Sequence, residues 1–343
     1  MKALVVNKKG DPVAPNVTVT DLPTPEPGPG EVRIATEASA LNHLDLWTAR
    51  GLPGVETLWP HIGGSDCCGR VNAVGDGVDE AWVGCRVVLN AALELNDPPN
   101  PSSAPAGRNI WMIGEHGPGA HAEMLCAPAT NVLAIPEHIS AVDAAAYGLT
   151  HLTAWRMLHS RAQLRQGETV LITGIGGGVA LACLNIAKWS GCRVIVTSRH
   201  QWKLDRATAL GADEAVLDQG ESWSRTVRSM TSKRGVDVCA DSVGQAVHHS
   251  CIGSLARGGR FVTCGCTTGA APQTDLARIF WNQLSVLGST MGDMNEFRQS
   301  TALLTSGQIT PVIDQAIPAN DGAKAYARLE AGEQFGKIVL TWT

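Results

Sequence analysis

Two rhythms of apolar and polar positions divide the chain. From Lys2 to about Ile135, short strand-like runs (ALVV, VTVTDL, EVRIATEASAL, GRVNAVG, CRVVL, HAEMLCA, VLAI) are broken by Pro and Gly. Such runs predict an antiparallel, partly barrel-like domain. From Gly167 each apolar run is followed by a helical stretch: ETVLIT then VALACLNIAKWSG, CRVIVTS then QWKLDRATALG, DEAVLD then SWSRTVRSM. VDVCADS, AVHHSCIGSLARG, GRFVTCG, DLARIFWNQ and LSVLGST continue the pattern. About six βα units at this spacing predict a doubly wound parallel sheet with helices on both faces, so the fold class is α/β. The Pro-, Ser- and Asn-rich stretch from Asn90 to Met112 reads as a surface loop. After Met291, EFRQSTALLTSG reads as a helix, and the ending FGKIVLTW as a strand that returns to the first domain.

Strand ETVLIT runs into TGIGGGVALACLNIAK, a glycine turn that opens a helix. Glycines there let main chain approach a pyrophosphate, whose charge the free N–H groups at the helix start stabilise. Gly174, Gly177, Gly178 and Val179 are therefore the cofactor candidates, although the spacing Gly174-x-x-Gly177-x-x-Ala180 departs from G-x-G-x-x-G. The next strand ends about 20 residues on, where a ribose-reading acid is expected. Ser198 and Arg199 stand there instead, with Lys203 following. Donors and positive charge suit a 2′-phosphate, so the expected cofactor is NADP(H) rather than NAD(H). Asp237, Asp241, Val243 and Gly244 are read as ending the fourth strand near the ligand crevice, and Gly265 as ending the fifth.

Composition narrows the partners. With 343 residues, 44% hydrophobic and 17% charged, the chain is long enough for two globular domains. A formal charge of −5 and the absence of a basic run argue against nucleic acid. No apolar stretch approaches the roughly 18 residues of a membrane span, and MKALVVNKKGDP lacks the features of a signal peptide. The expectation is a cytoplasmic protein acting on a small molecule, without membrane or nucleic-acid partners. The ten cysteines show no Cys-x-x-Cys pair and read mostly as reduced, buried side chains, Cys264-x-Cys266 included. His248, His249 and Cys251 read as an ordinary helix face.

The stretch GGSDCCGR, residues 63 to 70, looks at first like a collection of metal ligands. Together with LPTPEPGPGEVRI, ALNHLDLWTARG, GEHGPGAHAEM, the glycine turn and FGKIVL, it resembles the medium-chain dehydrogenase/reductase superfamily along nearly the whole chain. The resemblance implies a GroES-like catalytic domain built from residues 1–147 and 288–343, a Rossmann domain from 148–287, and an active site in the cleft between them. It also implies a nicotinamide cofactor and a homodimer or homotetramer. Many members hold catalytic zinc through Cys, His and a third Cys or acid, with Glu beside the His. This chain has Asn42, Ser65 and Ala146 at the ligand positions and Asp66 at the neighbouring acid. Amide, hydroxyl and methyl groups make a poor zinc site. The cysteine-rich lobe for structural zinc is also missing from residues 90–112. Neither catalytic nor structural zinc is therefore expected, as in the quinone-reductase-like branch.

Without a metal to stabilise alkoxide, the expected chemistry is hydride transfer to an enone, quinone or similar activated C=C, with donors stabilising the resulting enolate. Asn42 is the first candidate to hold the substrate carbonyl, His43 to donate a proton, and Asp45 to orient cofactor or substrate. Thr150, beside His151, is assigned by the resemblance to the nicotinamide and its ribose. Tyr147 reads as a packing residue or an acid, Glu115 and His116 as lining the cleft mouth or forming a turn. Gly288 and Ser289, in Leu287-Gly288-Ser289-Thr290, are expected by resemblance to offer main-chain groups to the nicotinamide amide. Two alternatives stay open: a zinc alcohol dehydrogenase recruiting Cys67, Cys68, Asp66 or His61, and an NADPH-binding protein without turnover.

Overall fold

The computed structural model describes residues 1–52, 54–94, 110–220 and 222–342. It divides into two units, Met1–Leu149 with Asp293–Thr343, and Thr150–Gly292.

The first unit is built on a seven-stranded sheet. Its central strand Glu31–Ala40 alternates buried and half-buried positions until Ala38, after which both faces are covered. Cys67–Val74 and Met124–Pro128 pair antiparallel with it. So does the final strand Lys337–Thr341, in the register Val339↔Ala40, Leu340↔Ser39 and Thr341↔Ala38. The chain end thus lies inside the sheet begun near the start, flanked on its other side by the parallel strand Ile313–Pro318. A core of Leu4, Val6, Leu41, Leu46, Tyr326, Ile338 and Leu340 ties this sheet to the helices His43–Arg50 and Gly322–Glu330. Burial of such apolar side chains is the main stabilising term.

The second unit is a six-stranded, wholly parallel sheet. Its spatial order is Glu214–Leu217, Arg193–Ser198, Thr169–Ile172, Val236–Asp241, Leu255–Thr263 and Ser285–Gly288. That is the doubly wound order 3-2-1-4-5-6. The central strands are buried on both faces, which explains their continuous apolar runs.

Three readings are corrected here. The stretch 90–112 is not simply a loop, because its ends pair as an antiparallel ribbon, Ala92–Glu94 with Ile110–Met112. Residues 95–109 lie outside the described residues. Asp237 begins rather than ends the fourth strand. There its carboxylate accepts from Thr169 N–H at 2.9 Å and pairs with Arg234. Cys266 is exposed and Cys264 only half-buried, unlike the six buried thiols of Cys67, Cys68, Cys183, Cys192, Cys239 and Cys251.

Candidate functional site

The glycine turn is held by side chains from the neighbouring strand. Thr173 Oγ1 donates to Asp241 Oδ1 at 2.6 Å, and the same carboxylate accepts from Val243 N–H at 3.1 Å and Gly244 N–H at 3.0 Å. Asp241 therefore fastens two loops, although burial raises its pKa. Gly174 takes a φ of 62°, and a Cβ there would meet Val243 Cγ2 at 2.7 Å. Only glycine satisfies both constraints. Gly177 caps the helix Gly178–Trp189, and a Cβ on it would meet only Gly174 O at 3.9 Å. Open space thus faces unspent N–H groups at a helix start, the setting for a phosphate.

The remaining cofactor candidates follow the carboxyl ends of adjacent strands. Ser198 ends its strand and is buried, its Oγ accepting from His200 N–H at 3.2 Å. Arg199 beside it is exposed. Lys203 is mostly buried, with its ammonium 5.2 Å from the centroid of the Trp202 ring. Gly265 is turned by Thr263, whose Oγ1 donates to Gly265 O at 3.0 Å. Gly288 O accepts from Arg161 Nε at 2.7 Å, and Ser289 N–H donates to Thr263 O at 2.9 Å. Gly174, Ser198, Val243, Gly265 and Gly288 are thereby brought to one edge of one sheet. Thr150 is buried, with its Oγ1 3.3 Å from His151 Nδ1.

Asn42, His43 and Asp45 lie in the other unit, at the start of the helix His43–Arg50. Asp45 is turned inward. Its Oδ2 accepts from Asn42 N–H at 2.7 Å and its Oδ1 from Gly64 N–H at 2.7 Å, with His121 Nε2 3.6 Å away. Burial alone would raise its pKa, yet His121 and the two N–H groups hold the carboxyl below its ordinary value. Asp45 fastens the helix start to the 63–64 turn. His121 extends this knot through Ser39 Oγ at 2.9 Å, which accepts from Trp342 Nε1 at 2.9 Å. His43 is half-buried, its ring 6.3 Å from that of Trp47.

The positions assigned to zinc have other partners. Ser65 Oγ donates to Ile113 O at 2.7 Å, and Ala146 is fully buried. Asp66 Oδ1 accepts from Leu149 N–H at 2.6 Å, and a Cβ on Gly148 would sit 2.5 Å from that oxygen. Asp66 Oδ2 accepts from Asn42 Nδ2 and from Lys337 Nζ, both at 2.9 Å. Lys337 Nζ also donates to Asn42 Oδ1 at 2.5 Å. The proposed recruits are similarly engaged: His61 Nε2 donates to Gly114 O at 3.0 Å, and burial pushes Cys68 up to about 12 and Cys67 higher still. Tyr147 is buried and donates to Ser300 O at 2.8 Å. Glu115 and His116 sit in a turn, His116 Nδ1 accepting from Met112 N–H at 3.0 Å, and burial raises the Glu115 carboxyl. His248 reaches Thr274 and Phe261, while Cys251 packs against Cys239. Among the described residues, no three His, Cys, Asp or Glu side chains converge as a metal cluster.

Lys337 escaped the sequence reading. FGKIVL was seen as a strand, but a lysine in a strand buried at its first four positions signals a buried charge that needs a partner.

Comparisons with known proteins match both parts of the chain to described families. The family model described as alcohol dehydrogenase GroES-like domain matches residues 28–137, and that described as zinc-binding dehydrogenase matches 178–306. A zinc-type alcohol dehydrogenase-like protein, YogA, of Leptosphaeria maculans is 30% identical over 97% of this chain and 96% of its own. A crotonyl-CoA reductase of Streptomyces avermitilis is 27% identical over 94% and 81%. The human quinone oxidoreductase is 25% identical over 99% and 97%. A crystal structure described as an NAD-dependent alcohol dehydrogenase superposes with a TM-score of 0.91, at 36% identity, covering all of both chains.

Proposed function

The chain belongs to the medium-chain dehydrogenase/reductase superfamily, and on that premise we propose that it is an NADPH-dependent reductase of activated C=C bonds, acting without catalytic zinc. The donor set carries this reading. Asn42, Ser65 and Ala146 do not fit a zinc ion, and Asp66 is taken by an ammonium, an amide and a main-chain N–H. Crotonyl-CoA reductase and quinone oxidoreductase among the relatives are named for acceptors of the proposed class.

Gly174, Gly177, Gly178 and Val179 would hold the pyrophosphate, and Val243, Gly265, Gly288 and Ser289 the rest of the dinucleotide. Ser198, Arg199 and Lys203 would hold the 2′-phosphate, the choice that separates this reading from the NAD-dependent relative. The bound cofactor supplies hydride. Addition at the β carbon moves the π electrons toward the carbonyl oxygen, where Asn42 can stabilise the charge. One of its amide protons goes to Asp66 at 2.9 Å, while the other faces Ala40 O at 3.4 Å, a long bond that a substrate carbonyl can replace. His43 or water then protonates the α carbon, and Thr150 steadies the nicotinamide ribose.

The reading extends to a cytoplasmic homodimer or homotetramer. Ten free cysteines suit a reducing compartment. Exposed Leu276, Phe280, Trp281 and Val286 beside the edge strand Ser285–Gly288 suit self-association. No helix among the described residues is long and apolar enough to cross a membrane.

The test is NADPH consumption by chelator-treated, metal-analysed protein on enones, quinones, enoyl thioesters and aldehydes. Turnover of one such class that survives chelation is expected. Turnover confined to alcohol oxidation and dependent on added zinc overturns the reading, as does tight NADPH binding with no turnover.

A further inference from the structure

Arg161 closes a wide, π-helical turn, Arg156–Arg161, in which Ala162 N–H reaches back five residues to Met157 O at 2.9 Å. Such turns are rare and are frequent at functional sites when they occur. This one brings half-buried Arg161 to the edge of the parallel sheet, where its Nε donates to Gly288 O at 2.7 Å. Gly288 is the last residue of the edge strand Ser285–Gly288. The peptide that joins it to Ser289 is flat and trans, so its C=O and N–H point to opposite sides. Ser289 N–H points inward, to Thr263 O at 2.9 Å, and Gly288 O points outward, to Arg161. The outer carbonyls of an edge strand have no strand to bond. Here the last of them is taken by a side chain 127 residues away in sequence, and one peptide plane is held from both sides. The chain just beyond is fastened by the helix that leads into the same turn, Thr153 Oγ1 donating to Met291 Sδ at 3.2 Å.

Topology decides which part of a dinucleotide meets this peptide. The glycine turn follows the strand Thr169–Ile172, and Ser198 ends the strand on one side of it. With the pyrophosphate at that turn and the 2′-phosphate at Ser198, the nicotinamide half has to run the other way, over the ends of Val236–Asp241, Leu255–Thr263 and Ser285–Gly288. We propose that Arg161 is a positioning residue for the nicotinamide half of the cofactor: it braces the Gly288–Ser289 peptide from outside the sheet and so fixes the main-chain rim on which the ring is seated, while the adenosine half is seated without it. This rests on the dinucleotide reading of the glycine turn, but its decisive readout is a ratio of affinities and does not require turnover.

The test compares full-length wild type, Arg161→Met and Arg161→Lys in calorimetric titrations with NADPH and with adenosine 2′,5′-bisphosphate, which carries the adenosine half alone. Losing a charge-assisted hydrogen bond is expected to weaken NADPH binding to Arg161→Met about fivefold or more, while the bisphosphate stays within about twofold of wild type. Arg161→Lys keeps a charged donor and is expected to lie nearer to wild type than to Arg161→Met. Should Arg161→Met not fold, Arg161→Gln takes its place in the same comparison. Unchanged NADPH affinity, equal losses for the two ligands, or a lysine variant as weak as the methionine one each overturns the proposal. A wild type that prefers NADH refutes the NADP(H) reading, and titration with NADH against AMP then decides on Arg161. A wild type that turns over no acceptor counts against the proposed reductase, while the affinity ratio still decides on Arg161.

Discussion

At the glycine turn of the parallel-sheet unit the proposed functional surface is main chain: Gly174 with its φ of 62°, Gly177 at a helix start, and the N–H groups behind them. In the β-rich unit it is side chain, drawn from positions 42, 66 and 337. The turn is local, its key residues falling within one strand-to-helix connection, whereas Lys337 and Asn42 stand 295 residues apart along the chain. The difference teaches where function is readable without a structure. A main-chain site demands residue types at fixed short spacings. A side-chain knot demands only that the fold bring its members together.

Four measurements sharpen or break this contrast. The largest effect is expected at Asp45, since a carboxylate bonded to Asn42, Gly64 and His121 supports the knot. Asp45→Ala should cost about 3–5 kcal/mol in urea unfolding, the range for breaking a buried charged network. The folded carboxyl is held low, with His121 nearby and His61 and Tyr326 feeling its charge. Its contribution is therefore complete above the unfolded value near 4 and fades as pH falls through the folded one. Asp45→Asn should flatten that acid limb, and an unchanged limb would remove Asp45 as its source.

Next comes Arg199→Asp, replacing a charge-assisted donor by a repelling acid. A loss of about 1.5–3 kcal/mol, or roughly 10- to 150-fold, is expected in kcat/KM for NADPH, with NADH less affected. An unaltered NADPH-to-NADH ratio would defeat the assignment of Arg199 to the phosphate. Gly174→Ala adds a methyl group to a positive-φ position, at a cost of about 1–2 kcal/mol. Fluorescence titration should report NADPH binding about tenfold weaker, and wild-type affinity would show that the turn does not carry the nucleotide. The smallest effect is expected at Cys266, the exposed thiol. Cys266→Ser should remove the fastest phase of thiol labelling while moving stability by less than about 0.5 kcal/mol. Persistence of that phase would point to opening of a buried thiol.

The doubly wound sheet was legible because each of its strands is a short apolar run followed by a helical period, from Thr169–Ile172 to Ser285–Gly288. The edges of that reading were less sharp. Asp237 was placed at the wrong end of its strand, because a carboxylate bonded to Thr169 N–H looks the same in sequence as one facing a ligand. Ser65 was legible as a poor metal ligand from chemistry alone. That its hydroxyl goes to Ile113 O was not, since this depends on a loop 48 residues away. Asp45 shows a related limit: its third-position register makes it reach back to the Asn42 N–H, a contact that its residue type alone does not reveal.

The last strand, Lys337–Thr341, also sets the order in which the protein can be completed. The parallel sheet is made from one continuous stretch of chain, 150–292, and all six of its strands are synthesised before the segment that closes the other sheet. Until then Glu31–Ala40 lacks one neighbour, and Asp66 waits without its counter-charge. A stalled or clipped chain ending ahead of residue 337 would thus carry an intact parallel sheet beside an unfinished partner with an open strand edge. That open edge is a surface suited to capture by chaperones.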